Sequence, residues 1–430
     1  MTGRPPLPPS PWLEASPPAP SLAALDADLQ ADVAVIGAGF TGLSAALRLA
    51  EIGVRAVVLE AVEPGYGASG RNGGQVIAGL KHDPGAIVST FGADLGERIV
   101  AFVGGAPDVV YDLVDRHAID CGLRRAGWLQ CAHGRAVLPT LERRVATWAT
   151  RGAPVKMLDA AETERRTGAR GYAGALFDAR GGTLNPLAFA RGLADAAIAA
   201  GAEIYGHSPA VALERVAGQW HVRTSAGLVR AERVLLATNA YTDGVHPAMR
   251  RSIVPVHSYQ VATRPLPDDL RDVLLPGGVG LSDTRRLLNY CRQDARGRLV
   301  VGGRGGAGES TDAADYTAIV RALARLFPAA ADLEVEYRWS GRVALTLDHY
   351  PHVGEIAPGL SVALGYNGRG VAMATATGRA MAEQLAGRPL SDLPLPARPI
   401  RPLPLHALRA PVLTAAIGLK RLQDWWESRA

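Results

Sequence analysis

The chain is 430 residues long, 48% hydrophobic and 20% charged, which is too long for one simple core and too apolar for a disordered or fibrous polypeptide. The formal charge is +5, but the basic residues are nearly all arginines spread along the chain. The only lysines are Lys81, Lys156 and Lys420, so no concentrated nucleic-acid-binding block is expected. No apolar run is long enough to cross a bilayer. Cys121, Cys131 and Cys291 follow no metal-ligand spacing, which predicts buried thiols in a reducing cytoplasm and no metal site.

Met1 to Gln30 is a proline-rich arm, with Pro5-Pro6-Leu7-Pro8-Pro9 and Pro17-Pro18, and lacks the apolar centre of a signal peptide. Trp12 is the residue able to tack it to the body; without that anchor it is a flexible arm. The stretch from Ala31 to Gly74 then organises everything after it. A short apolar run, Asp32 to Ile36, leads into Gly37-Ala38-Gly39-Phe40-Thr41-Gly42. A helical pattern follows, with Leu43, Ala46, Leu47 and Ala50 on one face and Gly53 as its C-terminal cap. A second strand, Val54 to Leu59, ends in Glu60. Strand, glycine turn, helix and strand in this order give the glycines their meaning. Gly37 permits the turn, Gly39 leaves room for a pyrophosphate, and Gly42 lets the helix lie against the strand. The helix N-terminus offers N–H groups and a positive dipole end. Glu60 stands about twenty residues on, where a carboxylate binds both ribose hydroxyls and disfavours a 2′-phosphate. This predicts a dinucleotide site.

The next stretch, Gly65 to Gln75, is too rich in Gly, Ser and Asn to pack a core and reads as a loop presenting backbone N–H groups. Gly67-Ala68-Ser69-Gly70-Arg71-Asn72-Gly73-Gly74-Gln75 resembles the flavin-contacting loop of the FAD-dependent D-amino-acid oxidase and glycine oxidase superfamily. It looks most like the γ-glutamylputrescine oxidase branch. The resemblance implies an α/β fold: a Rossmann-like, glutathione-reductase-like, discontinuous FAD-binding domain with an inserted mixed-sheet substrate domain. The expected FAD domain covers 31–90, 155–245 and 335–390. The substrate domain covers 91–154 and 246–334. An arm (1–30) and a C-terminal tail and helix (391–430) flank them.

Along the chain, Asp94 to Asp115 and Leu138 to Thr150 read as helices, Leu123 to Cys131 as a short strand pair, and Asp159 to Thr167 as a short helix. Asn185 and Pro186 look like the cap and first residue of a helix ending near Gly201. The strand Ala202 to Tyr205, a hairpin (Trp220 to Thr224, Leu228 to Ala231) and a buried strand Val234 to Ala240 follow. Ile253 to Thr263, Leu287 to Arg292 and Arg298 to Val301 read as strands around a turn at Ala295-Arg296-Gly297, closed by Gly302 to Gly306. Thr311 to Phe327 reads as a helix that Pro328 stops. Leu360 to Leu364, the turn Gly365-Tyr366-Asn367-Gly368-Arg369-Gly370-Val371 and the helix Met373 to Leu385 repeat the strand, glycine turn and helix order. Pro411 to Trp426 patterns as a terminal amphipathic helix, docked on the body or a second subunit, or touching a membrane surface.

The resemblance assigns cofactor contacts to Gly37, Gly39, Phe40, Thr41, Gly42, Glu60 and Ala61. The loop adds Ser69, Gly70, Arg71, Asn72, Gly73 and Gly74. Val211 (through its backbone), Thr238, Asn239 and Gly341 follow, with Gly365, Tyr366, Gly368, Arg369, Gly370 and Val371 in the last turn. In sarcosine oxidases a cysteine in the region matching Gly341–Leu345 holds the flavin; none stands there, so noncovalent FAD is expected. The lysine those enzymes use with oxygen matches Val300, and the lysine for the substrate carboxylate matches Ala372. Arg71, Arg342 and Arg369 are the cationic candidates near the flavin, with backbone or cofactor as partners as readily as substrate. Arg369 at a helix N-terminus suits the flavin edge that gains negative charge on reduction. His257, Tyr259 and Tyr290 are the candidate pocket wall, and core packing explains them equally well.

The resemblance implies oxidation of an amine or amino acid to an imine by hydride transfer to the flavin. Oxygen is the expected acceptor, with release of hydrogen peroxide, and secondary or γ-glutamylated amines are the favoured substrates. A dehydrogenase passing electrons to a quinone or carrier protein is the alternative, and a non-enzymatic flavoprotein the third. The expected partners are a small-molecule amine or amino-acid substrate and oxygen, with homo-oligomerisation possible.

Overall fold

A computed structural model describes residues 5–242, 244–306, 308–310, 312–404, 406, 418, 420 and 423–424. Two eight-stranded sheets organise the chain. In the first, Leu360–Leu364, Leu228–Leu236, Asp28–Ile36, Ala56–Leu59 and Glu203–Tyr205 run parallel side by side. His352–Ala357 closes one edge antiparallel, and the hairpin strands Ala212–Val216 and Gln219–Arg223 pair onto Leu228–Leu236. Val33, Ala34, Val35, Leu235, Leu236 and Val362 are buried, as expected of a parallel sheet covered on both faces. Ile36, Leu59 and Leu236 sit in register, so the strand ends reach one edge together.

Helices Phe40–Glu51 and Gly370–Leu385 pack closely on this sheet and on each other. A side chain at Gly378 would overlap the Thr41 carbonyl oxygen, and the Ser44 hydroxyl donates to the Thr375 carbonyl at 2.8 Å. Both helices therefore start at the strand edge. Helix Pro186–Ala199 is capped by Asn185, whose side chain accepts from the N–H groups of Leu187 and Ala188. The fold class read from the sequence is the one observed.

The second sheet runs in the order Val335–Leu345, Val254–Pro265, Arg298–Arg304, Tyr290–Gln293, Gly280–Asp283, Trp128–Ala132, Gly174–Asp178 and Val155–Asp159. This corrects several expectations. Leu123 to Cys131 is not a strand pair: a single strand, Trp128–Ala132, enters the middle of the sheet, and Arg124 bridges Thr183. Strands 155–159, 174–178 and 335–345 pair here, so the sheets do not divide at 155 and 335; the short strands between helices offered little periodicity to read. Helix Ala93–Arg116 buries Ile99, Val103, Ala106 and Val110 in the core shared with helices 40–51 and 370–385, away from the second sheet. Leu228–Leu236 is one continuous strand ending before Ala237, with Asn239–Tyr241 a turn of 3₁₀ helix. The expected helix from Thr311 is a 3₁₀ turn at Ala313–Tyr316 followed by Thr317–Leu326; Thr311 itself lies outside the described residues. The loop at 65–75 contains one helical turn, Ala68–Arg71.

The arm is anchored at Trp12, which is 1% exposed. Its ring meets Trp339 edge-on at 5.9 Å, and the Arg292 guanidinium lies 5.0 Å over it. Glu14 accepts from Arg298 at 2.7 Å and Tyr337 at 2.9 Å and pairs with Arg296. The Tyr66 hydroxyl donates to the Pro5 carbonyl at 3.0 Å. Residues 1–4 lie outside the described residues. So does most of the expected terminal helix from Pro411 to Trp426; residues 418, 420, 423 and 424 are helical. All three cysteines are free and buried. No described helix is long and apolar enough to cross a membrane, and the described residues contain no metal-binding cluster.

Candidate active site

One cavity of about 730 Å³ runs between the two sheets, within the ~300–1,000 Å³ range of small-molecule sites. At one end it is lined by Gly37, Gly39, Phe40, Thr41, Glu60, Ala61, Val211, Thr238 and Asn239. Ser69, Arg71, Asn72 and Gly73 come from the loop, and Gly341, Tyr366, Gly368, Arg369, Gly370 and Val371 from the far strand and the last glycine turn. The predicted residues therefore converge, although they span more than three hundred positions.

Four predicted contacts lie behind the wall instead. A side chain at Gly42 would overlap the Gly37 carbonyl oxygen, at Gly70 the Gly65 carbonyl oxygen, at Gly74 the Leu184 carbonyl oxygen and Arg292, and at Gly365 the Thr346 side chain. These glycines permit close approach of the chain to itself rather than to a ligand. Gly37 has φ +105°, the left-handed region where glycine carries no penalty.

Glu60 is held in place: Oε2 accepts from Ala38 N–H at 2.8 Å and Oε1 from Val62 N–H at 3.0 Å. Each carboxylate oxygen retains acceptor capacity for a hydroxyl. The Ser69 hydroxyl accepts from Phe40 N–H at 2.9 Å, tying the loop to the first helix. Val211 donates its N–H to the Arg223 carbonyl at 2.8 Å. The Tyr366 and Thr41 hydroxyls bond at 2.7 Å, joining the two helix starts. The Asn239 side chain accepts from Gly365 N–H at 3.0 Å.

This end suits flavin adenine dinucleotide. It offers a fixed carboxylate, two helix N-termini whose first N–H groups lack helical partners, and a glycine-lined floor. None of the three cysteines lines it.

The other end is formed by the second sheet. Trp128, Gln130, Ser282, Asp283, Tyr290, Gly303, Arg304, Val256, His257, Ser258 and Gln260 line it, with Lys81, Arg286, His349 and Lys420 from connecting segments. Tyr290 is where the sequence placed it. Its hydroxyl bonds Ser258 at 2.8 Å, and burial raises its pKa. Its ring occupies the space that side chains at Gly73 and Gly302 would need. His257 also lines the cavity, and burial together with Arg342 holds its pKa below the ordinary value.

Tyr259 does not line the cavity. It stacks on Tyr316 at 4.7 Å and donates to the Gly308 carbonyl at 2.7 Å, in the hydrophobic core against the second sheet. Along this strand Val256, His257, Ser258 and Gln260 line the cavity, so residues of both parities reach it and Tyr259 is the one turned into the core. The two positions matched to family lysines are also off the wall. Val300 packs with Ala262 and Trp339, and Ala372 is fully buried in the helix interface.

The arginines have partners. Arg71 is buried and donates to the Tyr66 carbonyl at 2.8 Å. Arg71 and Arg342 lie 3.5 and 3.4 Å from the two oxygens of Glu309. Arg369, at the N-terminus of helix 370–385, is buried, donates to the Ala78 carbonyl at 2.8 Å and stacks on Trp128 at 4.9 Å. It turns neither to solvent nor to a surface carboxylate.

Sequence reasoning did not single out Lys81, Trp128, Gln130, Gln260, Arg286, Arg304 or His349 as site residues. Gln260 donates to the Arg71 carbonyl at 2.5 Å, and its own carbonyl oxygen is buried without a partner among the described residues. The rarity of lysine was the one available signal for Lys81.

The family described as FAD dependent oxidoreductase (DAO) matches residues 32–384. Probable oxidoreductase OrdL of Haemophilus influenzae is 34% identical over 363 residues, 83% of either chain. Gamma-glutamylputrescine oxidoreductase of Escherichia coli is 34% identical over 365 residues, 84% of this chain and 85% of its own. Glycine oxidase of Geobacillus kaustophilus superposes with a TM-score of 0.70 at 24% identity, over 83% of this chain and 95% of that one. With a matched span that takes in both helix N-termini and most of the cavity wall, the chain belongs to the FAD-dependent oxidoreductase (DAO) family.

Proposed function

We propose that this enzyme oxidises the C–N bond of an amine or amino acid to an imine, which water hydrolyses, with oxygen as final acceptor and hydrogen peroxide as product. The favoured substrates are amines of the γ-glutamylputrescine type, in keeping with the name of the Escherichia coli relative, or secondary amines and imino acids. The observation that carries the reading is the continuity of one cavity, from a dinucleotide end at Glu60 to a sheet-walled end at Tyr290.

When bound, FAD supplies the two-electron acceptor for the hydride leaving the carbon next to nitrogen. The chain's own contribution is placement and charge. Arg71 and Asn72 fix the loop against the cofactor end. The N-terminus of helix 370–385 and Arg369 set positive charge at that wall, where it stabilises negative charge gained on reduction. Tyr290, held by Ser258 and two glycines, is a fixed wall for the substrate. FAD is held noncovalently, because the cavity wall holds no cysteine among the described residues; acid precipitation should free it.

The test is anaerobic mixing with a panel of amines, followed by air. Bleaching of the flavin by an amine and recolouring with peroxide formation are expected. A flavin that no amine bleaches refutes the reading. One that bleaches but stays reduced in air replaces oxygen with a quinone or carrier protein.

A further inference from the structure

The cations along the cavity are not equally engaged. Arg71 and Arg342 share Glu309, Arg286 lies 3.2 Å from Asp424, and Arg369 donates to a carbonyl. Arg144, close behind, pairs with Asp83 and Gln130. Lys81 differs from all of these. It lines the cavity and is accessible from it, yet among the described residues it makes no hydrogen bond or ion pair. Arg304, its Nε buried without a partner among the described residues, and the exposed Lys420 also line the cavity without a hydrogen bond or ion pair to the described residues.

The groups facing Lys81 are mostly cationic. Arg369 comes from the start of helix 370–385 and Arg144 from helix Leu138–Ala149; His349, whose own pKa is lowered by burial, is a further neighbour, and Asp83 is already paired with Arg144. Lys81 is exposed to the cavity space, and the protein packed around that cavity, together with the two guanidiniums, lowers its pKa to about 8. Such a place stabilises an anion, and bringing one there restores the lysine's charge. The two phosphates of FAD belong at helix 40–51, so the anion comes from elsewhere. In a chain that uses arginine for nearly every cation, a lysine here offers a compact point charge on a flexible stem.

Resting on the amine-oxidation reading, we propose that the substrate carries a carboxylate remote from the reacting nitrogen, and that Lys81 is the residue that holds it. Arg304 marks the opposite side of the same end. The strands that carry Trp128, beside Arg369, and Arg304 are three steps apart in the sheet, about 14 Å at ~4.8 Å per strand. Tyr290 stands between them. An extended molecule with an acid at one end fits that span, and a compact amine does not need it.

The test uses matched ligands that differ only in carboxylate or carboxamide: γ-glutamylputrescine and N-methyl-4-aminobutyrate, each against its amide. Binding is read anaerobically from the perturbation of the flavin spectrum, and reaction from bleaching. The wild-type holoenzyme is expected to bind each acid at least about tenfold more tightly than its amide. Lys81→Met should remove most of that preference and leave acid and amide bound about equally, a loss of at least about tenfold, the scale of one charge-assisted hydrogen bond. Lys81→Arg should keep most of it.

Lys81 is protonated below its pKa, so the preference should be full below pH 8 and fade above it. Equal binding of acid and amide by the wild type overturns the proposal. So does a Lys81→Met enzyme with its preference intact, or one that changes only the flavin midpoint potential, since the lysine would then serve the cofactor. If Lys81→Arg proves as poor as Lys81→Met, the role is proton transfer and the anchor is refuted. Ligands that bind with the predicted preference but never bleach the flavin would instead overturn the amine-oxidation reading.

Discussion

The two ends of the cavity are made of different material. The dinucleotide end is mostly backbone: N–H groups at two helix starts, glycines that let segments meet, and Glu60 braced by its neighbours' amides. Its first half is encoded within Ala31 to Gly74. The other end is made of side chains delivered singly by strands 128–132, 254–265, 280–283, 290–293 and 298–304 and by connecting segments. Backbone chemistry is local and written in glycines. A side-chain constellation exists only once a mixed sheet has chosen its strand order.

That contrast can be pressed by mutation. The largest effect is expected from Gly42→Val, because even a Cβ there overlaps the Gly37 carbonyl oxygen. Purification should yield flavin-free or insoluble protein; a yellow, soluble variant would mean the dinucleotide end is less tightly built than described. Gly302→Ala acts at the other end by intruding on the Tyr290 ring. Overpacking there should cost about 3 kcal/mol in a thermal or urea melt, and stopped-flow reduction should slow while FAD stays bound.

Glu60→Gln should weaken FAD by about 1–3 kcal/mol, the range for a hydrogen bond to a charged group. Fluorescence titration of the apoprotein reads this, and an unchanged affinity would remove Glu60 from the ribose site. Tyr290→Phe is the mildest. Loss of the Ser258 hydrogen bond should cost about 1 kcal/mol, so chemical denaturation should shift slightly. A collapse of flavin reduction in this variant would instead give the hydroxyl a direct part in the reaction.

Much of the fold was legible because its signals are local. The glycine turn, Glu60, the Asn185 cap and the second glycine turn at Gly365–Val371 each follow from a few adjacent residues, and each stands in the expected element. Trp12 was recognisable as the arm's anchor because a lone tryptophan among prolines has few other uses. Strands 155–159 and 174–178 were missed because five residues beside a helix carry little periodicity. Tyr259 was misplaced because sharing a strand face with His257 does not give it the same surroundings: His257 reaches the cavity, while Tyr316 and the Gly308 carbonyl cover Tyr259. Lys81 stayed hidden because it lies in a connecting segment, and its neighbours Arg369, Arg144 and His349 come from distant parts of the chain.

The docking of Trp12 and Glu14 also bears on how the molecule is made. The arm is synthesised before the rest of its site, and while Tyr66 and Asn185 meet it earlier, the partners of Glu14 come late: Tyr337 follows Glu14 by 323 positions. At ~5–20 residues per second, the arm waits about 16–65 s for a place to land. Its closure is therefore a late assembly event that records completion of the second sheet. On a ribosome stalled before residue 296, protease should cut the arm readily, and on the released, finished chain the same bonds should be protected.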